Sequence, residues 1–158
     1  MTPRITSLTA TDFRSLRGTV TVPMDSPVVL IHGRNGAGKT SLLTAMELGL
    51  TGNLASLSRL DSQFQEHLVH KEAVSKRGSV SIGVHGLGVE FLAGHFDIHG
   101  HKFTGKAALD PVLTKHFSER CYLAQSTLTR LLELYEVKSA NGTALTRFVK
   151  ELLGTLYT

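Results

Sequence analysis

The string Gly33-Arg34-Asn35-Gly36-Ala37-Gly38-Lys39-Thr40 fits the pattern G-x-x-x-x-G-K-S/T, which restricts the chain to folds where a glycine-rich loop joins a strand to a helix. The residue types follow from the chemistry. Glycines let the backbone turn so that successive N–H groups converge on the β- and γ-phosphates of a nucleoside triphosphate. Lys39 adds a point charge there. The Thr40 hydroxyl suits a Mg²⁺ that otherwise keeps several of its waters, and a helix opening at Lys39 turns its positive end to the phosphates. Average usage of Gly, Lys and Ser/Thr yields such a string by chance in roughly one chain of this size in a few hundred. The flanks agree with it. Val28-Val29-Leu30-Ile31, bounded by Pro27, predicts a short strand, and Ser41 to Leu48 repeats at helical spacing.

Length and composition narrow the setting. The 158 residues suit one domain, or one lobe of a larger one, and 41% hydrophobic residues supply a core. No apolar run approaches the ~20 residues of a membrane helix, and Met1-Thr2-Pro3-Arg4 does not open a secretory signal. A single cysteine, Cys121, excludes an internal disulfide and suits the reducing cytoplasm. The formal net charge of +4 leans toward a polyanionic partner such as nucleic acid.

Ile5 to Phe13 and Thr19 to Val22 predict two strands of an N-terminal hairpin around Arg14-Ser15-Leu16-Arg17-Gly18. The helix after Lys39 should end near Gly49 to Gly52. A polar stretch from Asn53 to Lys76 follows, with a short helix expected around Gln63 to Val69. Ser79 to Val84, Val89 to Ile98 and His101 to Phe103 alternate between glycines and predict an antiparallel meander over about residues 79–104. Cys121-Tyr122-Leu123 reads as a short strand leading to Gln125. One helix is expected through Leu128, Leu131, Leu132 and Tyr135, and a last one from Thr143 through Leu153. His95, Asp97, His99 and His101 would share one strand face. Because Leu92, Phe96 and Ile98 form the apolar face opposite, the histidine face reads as wet surface more readily than as a metal site.

Asp12-Phe13-Arg14-Ser15, the G-x-N-G-x-G-K-T loop about twenty residues on, and the strand ending Leu123-Ala124-Gln125 together resemble the SMC-like ABC ATPases, the group of the SbcC, RecF, RecN and SMC proteins. The resemblance spans nearly the whole chain and implies an α/β P-loop lobe with an antiparallel β-meander beside the phosphate-loop strand. It would be the N-terminal lobe, residues 1–158, of a bilobal ATPase head, with a Q-loop region at 121–126 and helices running to 158 toward a coiled coil. In that family a C-terminal lobe of the same or a separate chain supplies the signature motif and the Walker B acid. Two heads then sandwich two ATP molecules and couple nucleotide state to double-stranded DNA. A nuclease subunit is a further partner the resemblance leaves open.

Carried over residue by residue, the resemblance gives Arg34, Asn35, Gly36, Ala37, Gly38, Lys39, Thr40 and Ser41 contact with ATP. Arg14 and Ser15 approach the nucleotide from the hairpin. Thr40 and Gln125 reach Mg²⁺, and Lys39 and Gln125 are the catalytic candidates. This chain departs from the family in three ways: Asp12 replaces the usual asparagine, Ser126 follows Gln125 where glycine is common, and no hydrophobic run ends in Asp-Glu or carries L-S-G-G. The expectation is half an active site, able to hold Mg·ATP and unable to hydrolyse it alone. Lys71, Lys76 and Arg77, then Lys102 and Lys106, are the candidate contacts to DNA phosphates. DNA repair and defence against foreign DNA are the roles implied. A stand-alone P-loop nucleotide-binding or phosphotransfer protein and a non-catalytic assembly half-head are the competing readings, and the uncapped finish at Leu156-Tyr157-Thr158 predicts an interruption.

Overall fold

The computed structural model describes residues 4–58, 63–85, 92–100 and 102–122. The chain divides into two compact units, Met1–Glu119 and Arg120–Thr158. The first unit is built on a five-stranded antiparallel sheet, in which β1 (Arg4–Phe13) and β2 (Leu16–Pro23) form the expected hairpin. Helix α1 (Lys39–Thr51) follows the phosphate loop, and the short helix α2 (Ala55–Ser58) and a 3-10 turn (Phe64–His67) lead to the remaining strands. These are β3 (Arg77–His85), β4 (Leu92–His99) and β5 (Lys102–Lys106), in the spatial order β2-β1-β3-β4-β5. Helix α3 (Pro111–His116) and a π-helical turn (Phe117–Cys121) close the described chain.

Period-two alternation decides which face of the sheet is covered. Leu8 and Ala10 of β1, Val80, Ile82 and Val84 of β3, and Phe96 and Ile98 of β4 are all buried, against Leu42, Ala45 and Leu48 of α1. Truncating a residue such as Leu48 to alanine there would cost about 2–5 kcal/mol. The helix lies unusually close to the strands because two glycines meet. A Cβ built on Gly94 would stand 2.0 Å from the carbonyl oxygen of Gly49, and one on Gly49 would stand 2.8 Å from Ile82 Cγ2. The carbonyls near the end of α1 are then used up, Gly49 O by Ala108 N and Leu50 O by Leu109 N, each at 3.0 Å. Such bonds satisfy acceptors that a helix C-terminus otherwise leaves to water.

The opposite face is a sheet of hydroxyls. Thr9 pairs with Thr21 and Thr11 with Thr19, their Oγ1 atoms 3.1 and 3.0 Å apart, and Ser79 and Ser81 continue those two rows onto β3.

Several expectations are corrected. The run Val28–Ile31 is not a strand of this sheet: it has no strand partner among the described residues, and Val28 and Leu30 stand 83% and 82% exposed. The meander therefore lies beside the hairpin and not beside a phosphate-loop strand. The short helix expected around Gln63 to Val69 is present as a single 3-10 turn, Phe64–His67, and Val69 beyond it bridges Phe13. β5 runs on to Lys106. Cys121 ends a π-helical turn and does not begin a strand. Helix α3 was legible and overlooked: the Asp110 carboxylate accepts from Leu113 N at 2.8 Å and Pro111 fills the first turn, the usual start of a helix. Val89, His101, Leu123, Gln125, Ser126 and the two helices expected beyond them lie outside the described residues.

Candidate functional site

The phosphate loop runs straight into α1, and its last glycine makes the join. Gly38 sits at the helix N-cap with φ +90°, and Gly36 before it has φ +84°, a region in which side-chain-bearing residues are strained. Gly38 is also hemmed in, since a Cβ there would come within 2.4 Å of Leu16 Cδ2. No side chain caps the helix and its first turn holds no acid. An uncapped, acid-free N-terminus leaves backbone N–H groups and the positive end of the helix for an anion. Lys39 Nζ donates to the carbonyls of Gly33 and Arg34, both at 2.8 Å, so the ammonium lies across the mouth of the loop with a third N–H to offer. Arg34, Asn35, Ala37 and Thr40 are exposed on the same rim.

These features fit a triphosphate with its divalent cation. Gly36 and Gly38 take left-handed conformations that let the loop turn into the helix, Lys39 lies beside the loop carbonyls, and Thr40 presents a hydroxyl at the first turn. Among the described residues no group of three His, Cys, Asp or Glu side chains could hold a metal by itself. A cation in the loop would thus depend on phosphate oxygens as well as Thr40.

The hairpin tip meets the same helix from the side. Asp12 (φ +45°) takes a left-handed conformation at a bulge between Thr11 and Phe13, and Arg14 (φ +52°) takes another in the turn that follows. Asp12 turns its carboxylate away from the loop, accepting the Gly18 amide at 2.7 Å, which explains how an acid is tolerated so near an anion site. The tip is pinned from behind by Arg14 N to Leu68 O and His70 N to Asp12 O, both 2.8 Å. Ser15 and Ser41 share a hydrogen bond of 2.7 Å between hydroxyls, and Arg14 Nη1 donates to Thr44 Oγ1 at 3.1 Å. The structure thus brings Arg14, Ser15, Lys39, Thr40 and Ser41 together but turns Ser41, 5% exposed, toward the hairpin. Its hydroxyl is therefore taken up by the hairpin. Thr44 was missed. The stripe Ser41, Thr44 and Glu47, the buried polar residues of α1, repeats every three residues along a helix otherwise packed on apolar strands, and that was the available cue.

The basic residues fall in two groups. Arg77 of β3, His99 of β4 and Lys102 of β5 stand opposite one another on a single rung, with Lys76 next to Arg77 and its carbonyl bound by Gly100 N at 3.2 Å. Lys106 stands opposite His95 one end of β5 away, four residues or about 13 Å from the first rung. All five side chains are exposed, on the face remote from α1, and Lys71 lies apart in the turn before β3. The expected histidine face is there as well. His95 Nε2 and Asp97 Oδ1 pair at 3.2 Å in solvent, while His101 lies outside the described residues. No helix among those residues is long and apolar enough to cross a membrane.

Against known proteins, a family model described as an AAA domain matches residues 7–142. A structure from work on ATP-driven dimerization and DNA stimulated activation of SMC ATPases superposes with a TM-score of 0.67 at 17% identity. The alignment takes in 92% of this chain and 96% of that one. The Smc head domain with a coiled coil and joint from Pyrococcus yayanosii gives 0.62 at 16% identity, covering 84% of this chain. The recombination mediator RecF, in its ATPγS-type complex from the RecFOR pathway, gives 0.54 at 21% identity over 66% of this chain. The chain spans only 30% and 26% of those last two proteins. These likenesses show the fold, that of part of an SMC-type head domain.

Proposed function

This chain belongs to the AAA domain family, and from that premise we propose that it is the ATP-binding half of an SMC-like ATPase, completed by a C-terminal lobe from the same or a separate chain. The observation that carries the proposal is an asymmetry about the phosphate loop. On its helix side Leu42, Ala45 and Leu48 are buried in the core, whereas on its strand side Val28 and Leu30 stand exposed and the run Val28–Ile31 pairs with no strand among the described residues, Ile31 alone packing against the core. An exposed apolar run beside a binding loop is a template for another strand. We assign that place to the second lobe, whose Walker B acid and signature motif this sequence lacks.

In the completed head, Lys39 and the loop amides hold the β- and γ-phosphates, Arg34, Asn35 and Ala37 line the rim, and Thr40 with Gln125 holds Mg²⁺. The cation, when bound, neutralises charge on the phosphate oxygens. Gln125 orients the attacking water, and Arg14 and Ser15 brace the loop from the hairpin. Two heads pair with ATP between them. The exposed cations Lys71, Lys76, Arg77, Lys102 and Lys106 contact DNA phosphates without reading bases. Pairing two such patches raises avidity through effective concentration. We place this activity in the cytoplasm, in DNA repair or defence against foreign DNA, with a nuclease subunit as an optional partner.

Equilibrium binding of a fluorescent ATP analogue with Mg²⁺ to this chain tests the nucleotide half of the proposal. Saturable binding is expected, and Lys39→Ala is expected to abolish it. Binding that survives Lys39→Ala would mean the loop is not the site.

A further inference from the structure

Three consecutive hairpin residues touch α1 at three positions spaced by three. Leu16 packs on Gly38, Ser15 bonds Ser41 through its hydroxyl at 2.7 Å and its amide at 3.4 Å, and Arg14 bonds Thr44 at 3.1 Å. Positions three apart share a helix face, so the hairpin tip lies along the first two turns like a splint. Ser41 and Thr44 are 5% and 2% exposed, which makes both contacts costly to break.

Thr44 carries a second bond. Its Oγ1 accepts from the Arg14 guanidinium and donates to the carbonyl oxygen of Thr40 at 2.8 Å. A threonine bonding the carbonyl four residues back is common in helices and by itself slightly unfavourable. This one differs because its acceptor side is held by a charged donor from an element thirty residues away in sequence. A hydroxyl that accepts from a cation becomes a stronger donor, so the Arg14 charge is passed to the Thr40 carbonyl. The peptide between Thr40 and Ser41 is therefore held at both ends, its oxygen by Thr44 and the Ser41 side chain by Ser15.

We infer that Thr44 is a positioning residue for the divalent cation: through it, Arg14 fixes the Thr40 peptide and so the direction of the Thr40 hydroxyl. This rests on the proposed function, in which Thr40 meets the metal of Mg·ATP. Thr44 touches neither nucleotide nor metal. The consequence is specific, because the cradle of loop amides and Lys39 does not depend on Thr44. The part of the affinity that needs Mg²⁺ should respond to Thr44, and the part that persists without metal should not.

The test compares affinity for the fluorescent ATP analogue in Mg²⁺ and in EDTA, using this chain, with thermal melting to follow folding. In Thr44→Val the gain in affinity from Mg²⁺ should shrink by about 3- to 10-fold, the worth of one hydrogen bond to an aligned ligand, with EDTA affinity within about twofold of the parent. Thr44→Ser, which keeps the hydroxyl, should restore the gain. Arg14→Gln leaves the buried threonine in place and should also reduce the Mg²⁺ gain. Combined with Thr44→Val it should add little, since the two act in series. Thr44→Val with the parent's Mg²⁺ gain overturns the inference alone, as does a Thr44→Ser that loses the gain as fully as Thr44→Val. Failure of the parent chain to bind at all instead overturns the proposed function, and with it this inference.

Discussion

The two flanks of the phosphate loop could hardly differ more. Behind it, α1 is sealed: Leu42, Ala45 and Leu48 face the sheet, Gly38 fits under Leu16, and the hydroxyls of Ser41 and Thr44 are bonded to the hairpin. Ahead of it, the run Val28–Ile31 has no strand beside it among the described residues, and Val28 and Leu30 are more than four-fifths exposed while Ile31 packs against the core. Water-facing valine and leucine are ordinary one at a time, but a β-branched run leading straight into a binding loop is not. The contrast teaches that the helix half of the site is built by this chain's own core, whereas the strand half is the part our proposal gives to a second lobe.

The largest expected effect breaks that contrast on the strand side. Replacing Val28 and Leu30 together by aspartate should leave the melting of this chain nearly unchanged, within about 0.5 kcal/mol, because both are already in water. The same change should abolish association with a C-terminal lobe, as read by co-purification of the completed head. Marked destabilisation of the chain alone would mean the run is packed within it.

On the helix side a smaller change should do the opposite. Gly38→Ala places a methyl within 2.4 Å of Leu16 in a conformation with φ +90°. It should destabilise the chain by about 1–3 kcal/mol in denaturant titrations and weaken the nucleotide site with it. A neutral result would mean the hairpin does not clamp the loop.

A still smaller effect belongs to neither flank and controls for both. Reversing Lys76 and Arg77 to glutamate alters only the outer face of the sheet. Duplex binding by a completed head should weaken alike for all sequences, and its dependence on log salt should flatten by roughly 2, one per lost phosphate contact. Nucleotide affinity should not move. Unchanged DNA affinity at low salt would put the DNA surface elsewhere.

How much of this was legible beforehand follows the same division. The hairpin, the meander and the end of α1 at Gly52 were readable because local signals and burial agree there: alternating threonines and valines, glycines between strands, a left-handed glycine after the helix. The motif placed the glycine loop directly before α1, where Gly36 and Gly38 take left-handed conformations. Val28–Ile31 misled because a β-branched run states a preference for pairing but not who supplies the partner. Helix α3 was missed although Asp110-Pro111 announces it, and Cys121 was read as a strand because three apolar residues in a row outweighed the helical turn that runs into them. Thr44 was hidden by periodicity itself, since a threonine within an apolar repeat reads as packing until the arginine from the hairpin is seen on its oxygen.

The central claim is that this chain holds one half of an ATPase site, and steady-state ATP turnover by the pure chain tests it most directly. With Mg·ATP saturating, the account predicts nucleotide bound and no phosphate release above that of Lys39→Ala. Robust turnover that Lys39→Ala abolishes would contradict it, and would make this protein a complete P-loop enzyme in its own right.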